Sequence, residues 1–203
     1  MKNSLKCDFT YEHYVEMLRL AMKKGYKILP LCEYHPRHKK VIYLRHDVDT
    51  SPDKADMMAF IENYLGIRSS YFILFHGDFN PLSYKNINLI RLIQRYGHEI
   101  GLHYFSMGID IQTEKKILEK MINKKIKGFC CHEPTRCGGF DMKAKGLYNA
   151  YEDRFLKDIK YISDSGARWR DGCLCKFLND LHPRICVLIH PEWWYRNNPL
   201  ERF

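Results

Sequence analysis

Short apolar runs recur along this chain, and nearly every one ends on an aspartate or a histidine. Val41-Ile42-Tyr43-Leu44 leads into Arg45-His46-Asp47-Val48-Asp49, Tyr71-Phe72-Ile73-Leu74-Phe75 ends at His76, and residues 98–103 end at His103. Phe129-Cys130-Cys131 ends at His132, Ile159-Lys160-Tyr161-Ile162 leads to Ser163-Asp164, and Ile185-Cys186-Val187-Leu188-Ile189 ends at His190. Helical stretches separate these runs. Thr10 is placed to cap a helix that stops at Gly25, and Ser51-Pro52 opens one that ends near Gly66. Further helices are expected over residues 83–96, 113–127 and 142–156, and a short strand over 26–31. Strand and helix in alternation predict parallel βαβ units. The strand count, in a chain of 203 residues, predicts an incomplete or distorted (β/α)7 barrel. All strand ends of such a barrel open on one face, so the terminal aspartates and histidines are expected to share a site there.

A hydrophobic content of 45% is ample for one core, so residues 1–203 are expected to form a single domain. No apolar run is long enough to span a bilayer, and the first residues lack an apolar signal core. The expected location is the cytoplasm. The eight cysteines have irregular spacing, and neither Cys130-Cys131 nor Cys173-x-Cys175 makes the usual two-pair zinc pattern. Free, mostly buried thiols are expected. The formal net charge is +9, gathered partly in Lys115-Lys116 and Lys124-Lys125 on the predicted 113–127 helix. A solvated helix face is the simpler reading; attraction to nucleic acid, an anionic glycan or an acidic membrane surface is the sharper one. No nucleic-acid motif supports the first of these, and no nucleic-acid partner is expected.

Asp47 and Asp49 stand two apart, which on a strand puts both on one face. Two adjacent carboxylates repel unless a cation neutralises them. A divalent metal bound to one resolves the conflict and leaves the other free to act as a base. The alternative is a pair of loop-capping aspartates before the Ser51 helix. His46 points to the opposite face, as packing or support. His98 sits at a strand start, away from the mouth, and reads as structural. His13, His35, His38 and His182 lie in helix or loop, with no spacing that suggests ligation.

The blocks Arg45-His46-Asp47-Val48-Asp49 and Gly97-His98-Glu99-Ile100-Gly101-Leu102-His103 resemble polysaccharide deacetylases of the NodB-homology type. They resemble more narrowly the branch found with bacterial surface-polysaccharide biosynthesis. Ile162-Ser163-Asp164-Ser165-Gly166-Ala167-Arg168-Trp169 and Leu188-Ile189-His190-Pro191-Glu192-Trp193-Trp194 are similar to later blocks of that group, so the resemblance covers about residues 41–194. It implies a distorted seven-stranded βα barrel and a role for each matching residue: Asp47 as catalytic base, Asp49 and His103 as metal ligands, His190 as general acid, Asp164 as tuner of the catalytic pair. The family's second block carries a further histidine where this chain has Met107, and a thioether is a weak ligand for zinc and a poor one for harder ions. His132, His76 or water is then the third ligand. The arginine-proline block is also altered, to His132-Glu133-Pro134-Thr135-Arg136.

The reaction so implied is metal-dependent hydrolysis of an N-acetyl group on an amino sugar or glycan precursor. The expected cofactor is a divalent metal, zinc in first place, with manganese, cobalt or nickel admitted. Asp47 would take a proton from water and His190 would give one to the leaving amine. Trp169, Trp193, His132 and Arg45 are the expected substrate contacts, the tryptophans because aromatic faces suit sugar rings, with core packing as their alternative. Two rivals are a metal-free, sugar-binding protein of the same fold and a haloacid-dehalogenase-type phosphatase using Asp47-Val48-Asp49.

Overall fold

The computed structural model describes residues 7–106 and 109–202. Eight parallel strands make one sheet: β1 (Lys27–Leu29), β2 (Val41–Val48), β3 (Ser70–Leu74), β4 (Glu99–Tyr104), β5 (Gly128–Cys131), β6 (Tyr148–Asn149), β7 (Lys160–Ser163) and β8 (Arg184–Ile189). The helices are α1 (Tyr11–Lys23), α2 (Pro52–Tyr64), α3 (Tyr84–Arg95), α4 (Ile111–Ile122), α5 (Asp153–Leu156) and α6 (Leu174–Asn179). Strand order along the sheet is β6-β5-β4-β3-β2-β8-β7, with β1 beside the first half of β2. The outer strands β6 and β7 do not pair with each other. The sheet therefore curls into an incomplete (β/α)7 barrel, open along one side.

β2 shows why the strands read as unbroken apolar runs. All eight of its residues are buried, because a strand of a βα barrel is covered on both faces. Tyr43 joins the core cluster inside the curl, while Ile42 and Leu44 join the cluster shared with α1 and α6. By the same alternation Arg45 and Asp47 face inward and His46 faces outward. His46 stacks on Tyr71, with ring centroids 4.2 Å apart, and its Nε2 lies 2.7 Å from Glu62 Oε1. Glu62 of α2 also accepts hydrogen bonds from Tyr14, Ser69 and Tyr71 and faces His98. His46 and His98 thus tie α1, α2 and β3 together behind the sheet.

Most helices fall close to where their caps place them. Thr10 accepts from the His13 amide and Ser51 from that of Lys54. Two segments differ from the sequence reading. The helix expected over 113–127 is α4, shifted toward the N-terminus. Asp110 caps it by accepting from the Gln112 and Thr113 amides, and Asn123, at φ 52°, ends it. No long helix forms over 142–156. That stretch holds an isolated bridge between Ala144 and Leu147, then β6, then the single turn α5. The reason is local: Gly146 sits at φ +74°, and the Asn149 amide donates to the carbonyls of Gly139 and Met142. The short helix α6 was not expected. All eight cysteines are thiols, five of them buried.

Candidate active site

Register carries the inward-facing side chains to one end of the curl. Asp47 pairs with Phe72, and Phe72 with Gly101; Leu74 pairs with His103, and His103 with Cys130. Residues level in a parallel sheet point to the same face. Asp47, His103 and Cys130 therefore converge inside, and Asp49, His132 and His190 follow where their strands end. A cleft of about 650 Å³ opens there, lined by Asp47, Asp49, His103, His132 and His190 among others. The larger aromatic residues of its wall are Phe140, Tyr151 and Tyr161.

Three donors meet at its floor. His103 Nε2 is 3.0 Å from Asp49 Oδ1 and 3.2 Å from His132 Nδ1, and His132 Nδ1 is 3.7 Å from that same oxygen. Asp49 Oδ1 is buried, and the polar groups facing it are these two imidazoles. Ligands about 2.1 Å from one ion lie roughly 3.0–3.4 Å from each other, so two of these separations suit a divalent metal as they stand and the third, at 3.7 Å, needs a small closure. The other nitrogen of His103 faces the Cys130 carbonyl at 3.3 Å and Cys130 Sγ at 3.0 Å. Such a contact turns the free nitrogen of an imidazole toward a metal. The donors present thus fit a divalent ion held by Asp49, His103 and His132. Of the two histidines weighed as third ligand, His132 joins this group. His76 pairs instead with Glu114 of α4 at 2.9 Å. Met107 lies outside the described residues.

Asp47 is 1% exposed, and Arg45 grips both its oxygens, Nε to Oδ1 at 2.8 Å and Nη2 to Oδ2 at 2.7 Å. Burial alone would raise the Asp47 pKa. The charges of Arg45 and His103 outweigh it and hold the carboxyl well below its usual range. His190 lines the same cleft. Its Nδ1 is 2.7 Å from Asp164 Oδ1, and its backbone N–H donates to the same carboxylate. Trp194 Nε1 donates to the other oxygen at 2.9 Å. Burial would lower the His190 pKa, but the hydrogen bond and charge of Asp164, joined by Asp47 and Asp49, push it up to about 10. At neutral pH a protonated imidazolium therefore faces an ionised carboxylate.

Other residues stand elsewhere than the sequence reading put them. Arg45 is fully buried beneath Asp47, bonded to Tyr151 and over its ring, so it supports the carboxylate and cannot touch a substrate. Trp169 and Trp193 do not line the cleft; they pack on the cluster behind the sheet, where Trp169 lies against Phe9 and Trp194. Both are half-buried against that cluster, the position the packing alternative describes. Sequence reasoning missed Cys130, because a cysteine inside a strand reads as an apolar residue. It also missed Glu192, two residues past His190. Glu192 is buried, its Oε2 has no hydrogen-bond partner, and burial with the nearby charge of Asp49 pushes its pKa up to about 8.

No family model and no curated protein sequence matches the chain. Solved structures do. A CE4 family pseudoenzyme from Bacillus anthracis superposes at TM-score 0.51 and 17% identity, over 77% of this chain and 56% of that one. A variant of that pseudoenzyme with restored enzymatic activity gives 0.50 and 17%, over 77% and 58%. A family 4 carbohydrate esterase from Bacillus anthracis gives 0.49 and 18%, over 86% and 76%. This chain thus matches a little over half the length of the pseudoenzyme. At such identities the likeness is one of fold: the half-barrel described above is the fold of the CE4 pseudoenzyme.

Proposed function

We propose that this protein is a metal-dependent hydrolase that removes an N-acetyl group from an amino sugar in a glycan or glycan precursor. The observation that carries the reading is the convergence of Asp49, His103 and His132 beside Asp47, with His190 lining the same cleft. The shared fold with CE4 proteins supports it. A substrate from bacterial surface-polysaccharide synthesis is the narrower form of the proposal, and zinc is the metal proposed.

A divalent ion held by Asp49, His103 and His132 would supply Lewis acidity, making bound water more acidic and polarising the acetyl carbonyl. The protein's own groups do the rest. Asp47, ionised and facing the metal ligands, accepts the water proton. Arg45 keeps that carboxylate charged and fixes its direction. His190 begins as imidazolium and gives its proton to the departing amine. Asp164 holds His190 by Nδ1, leaving Nε2 as the donor. Asp47→Asn tests the base: metal content should stay at the wild-type level while acetate release from N-acetylated chito-oligosaccharides falls by roughly 10²–10⁴. Unchanged release would remove Asp47 from the mechanism. Turnover of a generic phosphate ester without acetate release would favour the phosphatase reading instead.

A further inference from the structure

Cys7, His13, Cys173 and Cys175 come together away from the cleft, their three sulfurs and one ring nitrogen all within 4.8 Å of one another. None of the four lines the cleft. They come from two distant stretches of chain. The first is anchored around the start of α1. Asp8 accepts from the Thr10 amide at 3.1 Å and hydroxyl at 2.7 Å, Thr10 caps α1, and the Tyr11 amide donates to the Tyr195 carbonyl. This places Cys7 over the first turn of α1, from which His13 projects. The second stretch is the start of α6, where Cys173 precedes the helix and Cys175 is its second residue.

The local chemistry is that of a ligand set. His13 Nε2 is 3.3 Å from Cys173 Sγ, and Nδ1 is 3.4 Å from Glu16 Oε2, one turn along α1. A carboxylate on one nitrogen and sulfur at the other is how a histidine ligand is oriented from behind. His13, Cys173 and Cys175 are 2%, 5% and 5% exposed, so three donors are already removed from water. Cys7 is exposed and leaves a route by which an ion can enter. Three thiols and one imidazole form a soft, four-membered donor set, the number and type that structural zinc uses. Ligands of a tetrahedral zinc lie roughly 3.5–3.8 Å apart, so only a small contraction is required.

We propose that Cys7, His13, Cys173 and Cys175 bind one Zn2+ tetrahedrally, as a structural site that fastens the N-terminal segment and α1 to α6. On binding, each thiol forms a sulfur–zinc bond and releases its proton to buffer, and neutral His13 binds through Nε2. No electron moves.

Co2+ titration of the reduced, full-length chain tests this, because thiolates give tetrahedral Co2+ a strong sulfur-to-metal charge-transfer absorption. Saturation is expected at one thiolate-bound Co2+ per chain, and added Zn2+ should abolish the band. The band should survive in Asp49→Ala and Cys130→Ala, which alter only the cleft, and disappear in Cys173→Ser. Glu16→Gln should weaken Zn2+ binding here by roughly 10-fold. His13→Cys, with a fourth thiolate, should intensify the band, and this variant decides the question if Cys173→Ser folds poorly. A missing band, a band lost only in Asp49→Ala or Cys130→Ala, or a Cys173–Cys175 or Cys7–Cys175 disulfide in the native protein would overturn the proposal. A cleft without metal would leave this site untouched, so the two proposals fail separately.

Discussion

A carboxylate clamped by a guanidinium through two hydrogen bonds stays ionised at almost any pH, and Asp47 is clamped in that way. Burial makes the clamp indispensable. Arg45→Met would leave a buried carboxylate without its cation, which costs about 3–5 kcal/mol. Denaturant unfolding should show that loss together with a raised Asp47 pKa, and wild-type stability would contradict it. His190 behaves in the reverse sense. It titrates at about 10 in the folded protein against an ordinary value of ~6.5. The stability it contributes is therefore complete below ~6.5 and is lost as pH rises through about 10. Asp164→Asn should move the alkaline limb of the pH–rate profile from about 10 downward toward ~6.5; an unmoved limb would show that another group sets it. Asp47, Asp49, His103, His132, Asp164 and His190 were legible in the sequence because each ends an apolar run. The support given by Cys130 was not, because it depends on which strands lie side by side; Arg45 stands two residues before Asp47 on the same strand, and its burial there turns it from a substrate contact into a support.

At the scale of elements, β4 makes the floor of the cleft possible by carrying a glycine. A Cβ on Gly101 would come within 2.5 Å of the Phe72 ring and 3.0 Å of the Gly128 carbonyl oxygen. Phe72 lies level with Asp47 and under the Arg45 guanidinium, 5.4 Å from ring centre to Cζ. Gly101→Ala should cost about 1–3 kcal/mol by overpacking and disturb the Arg45–Asp47 pair; thermal unfolding of the variant checks this, and an unchanged midpoint would contradict it. Start signals and closing glycines located α1, α2 and α3 well, helped in α1 by the apolar period. The 142–156 segment misled because its apolar residues suit a helix face, while Asn149 and Gly146 build a loop and a short strand from them. The Cys7, His13, Cys173 and Cys175 group was illegible for a different reason. Spacing rules detect ligands close in sequence, and here the two halves lie some 160 residues apart.

For the whole molecule, the alternation of strands and helices and the consistent strand ends were enough to specify a parallel half-barrel. What they left open was the edge between β6 and β7 and the network behind the sheet. Glu62 is the centre of that network, and the charge of His46, against burial, brings its pKa down to about 2. A depressed carboxylate stabilises fully above its unfolded value of ~4.3 and loses that contribution as pH falls through about 2. Acid unfolding should therefore steepen in this window, and Glu62→Gln should flatten it; identical acid transitions would remove Glu62 as the cause. No helix among the described residues is long and apolar enough to cross a membrane. Activity is proposed to depend on a divalent metal held by Asp49, His103 and His132. The most direct test is acetate release from N-acetylated chito-oligosaccharides by the wild type and His132→Ala, each assayed after chelation and after Zn2+ is restored. Release should stop on chelation, return with Zn2+ in the wild type, and fall at least ~10-fold in His132→Ala. Release unchanged by chelation or by loss of His132, or no release from a wild type with Zn2+ bound in the cleft, would contradict the proposal.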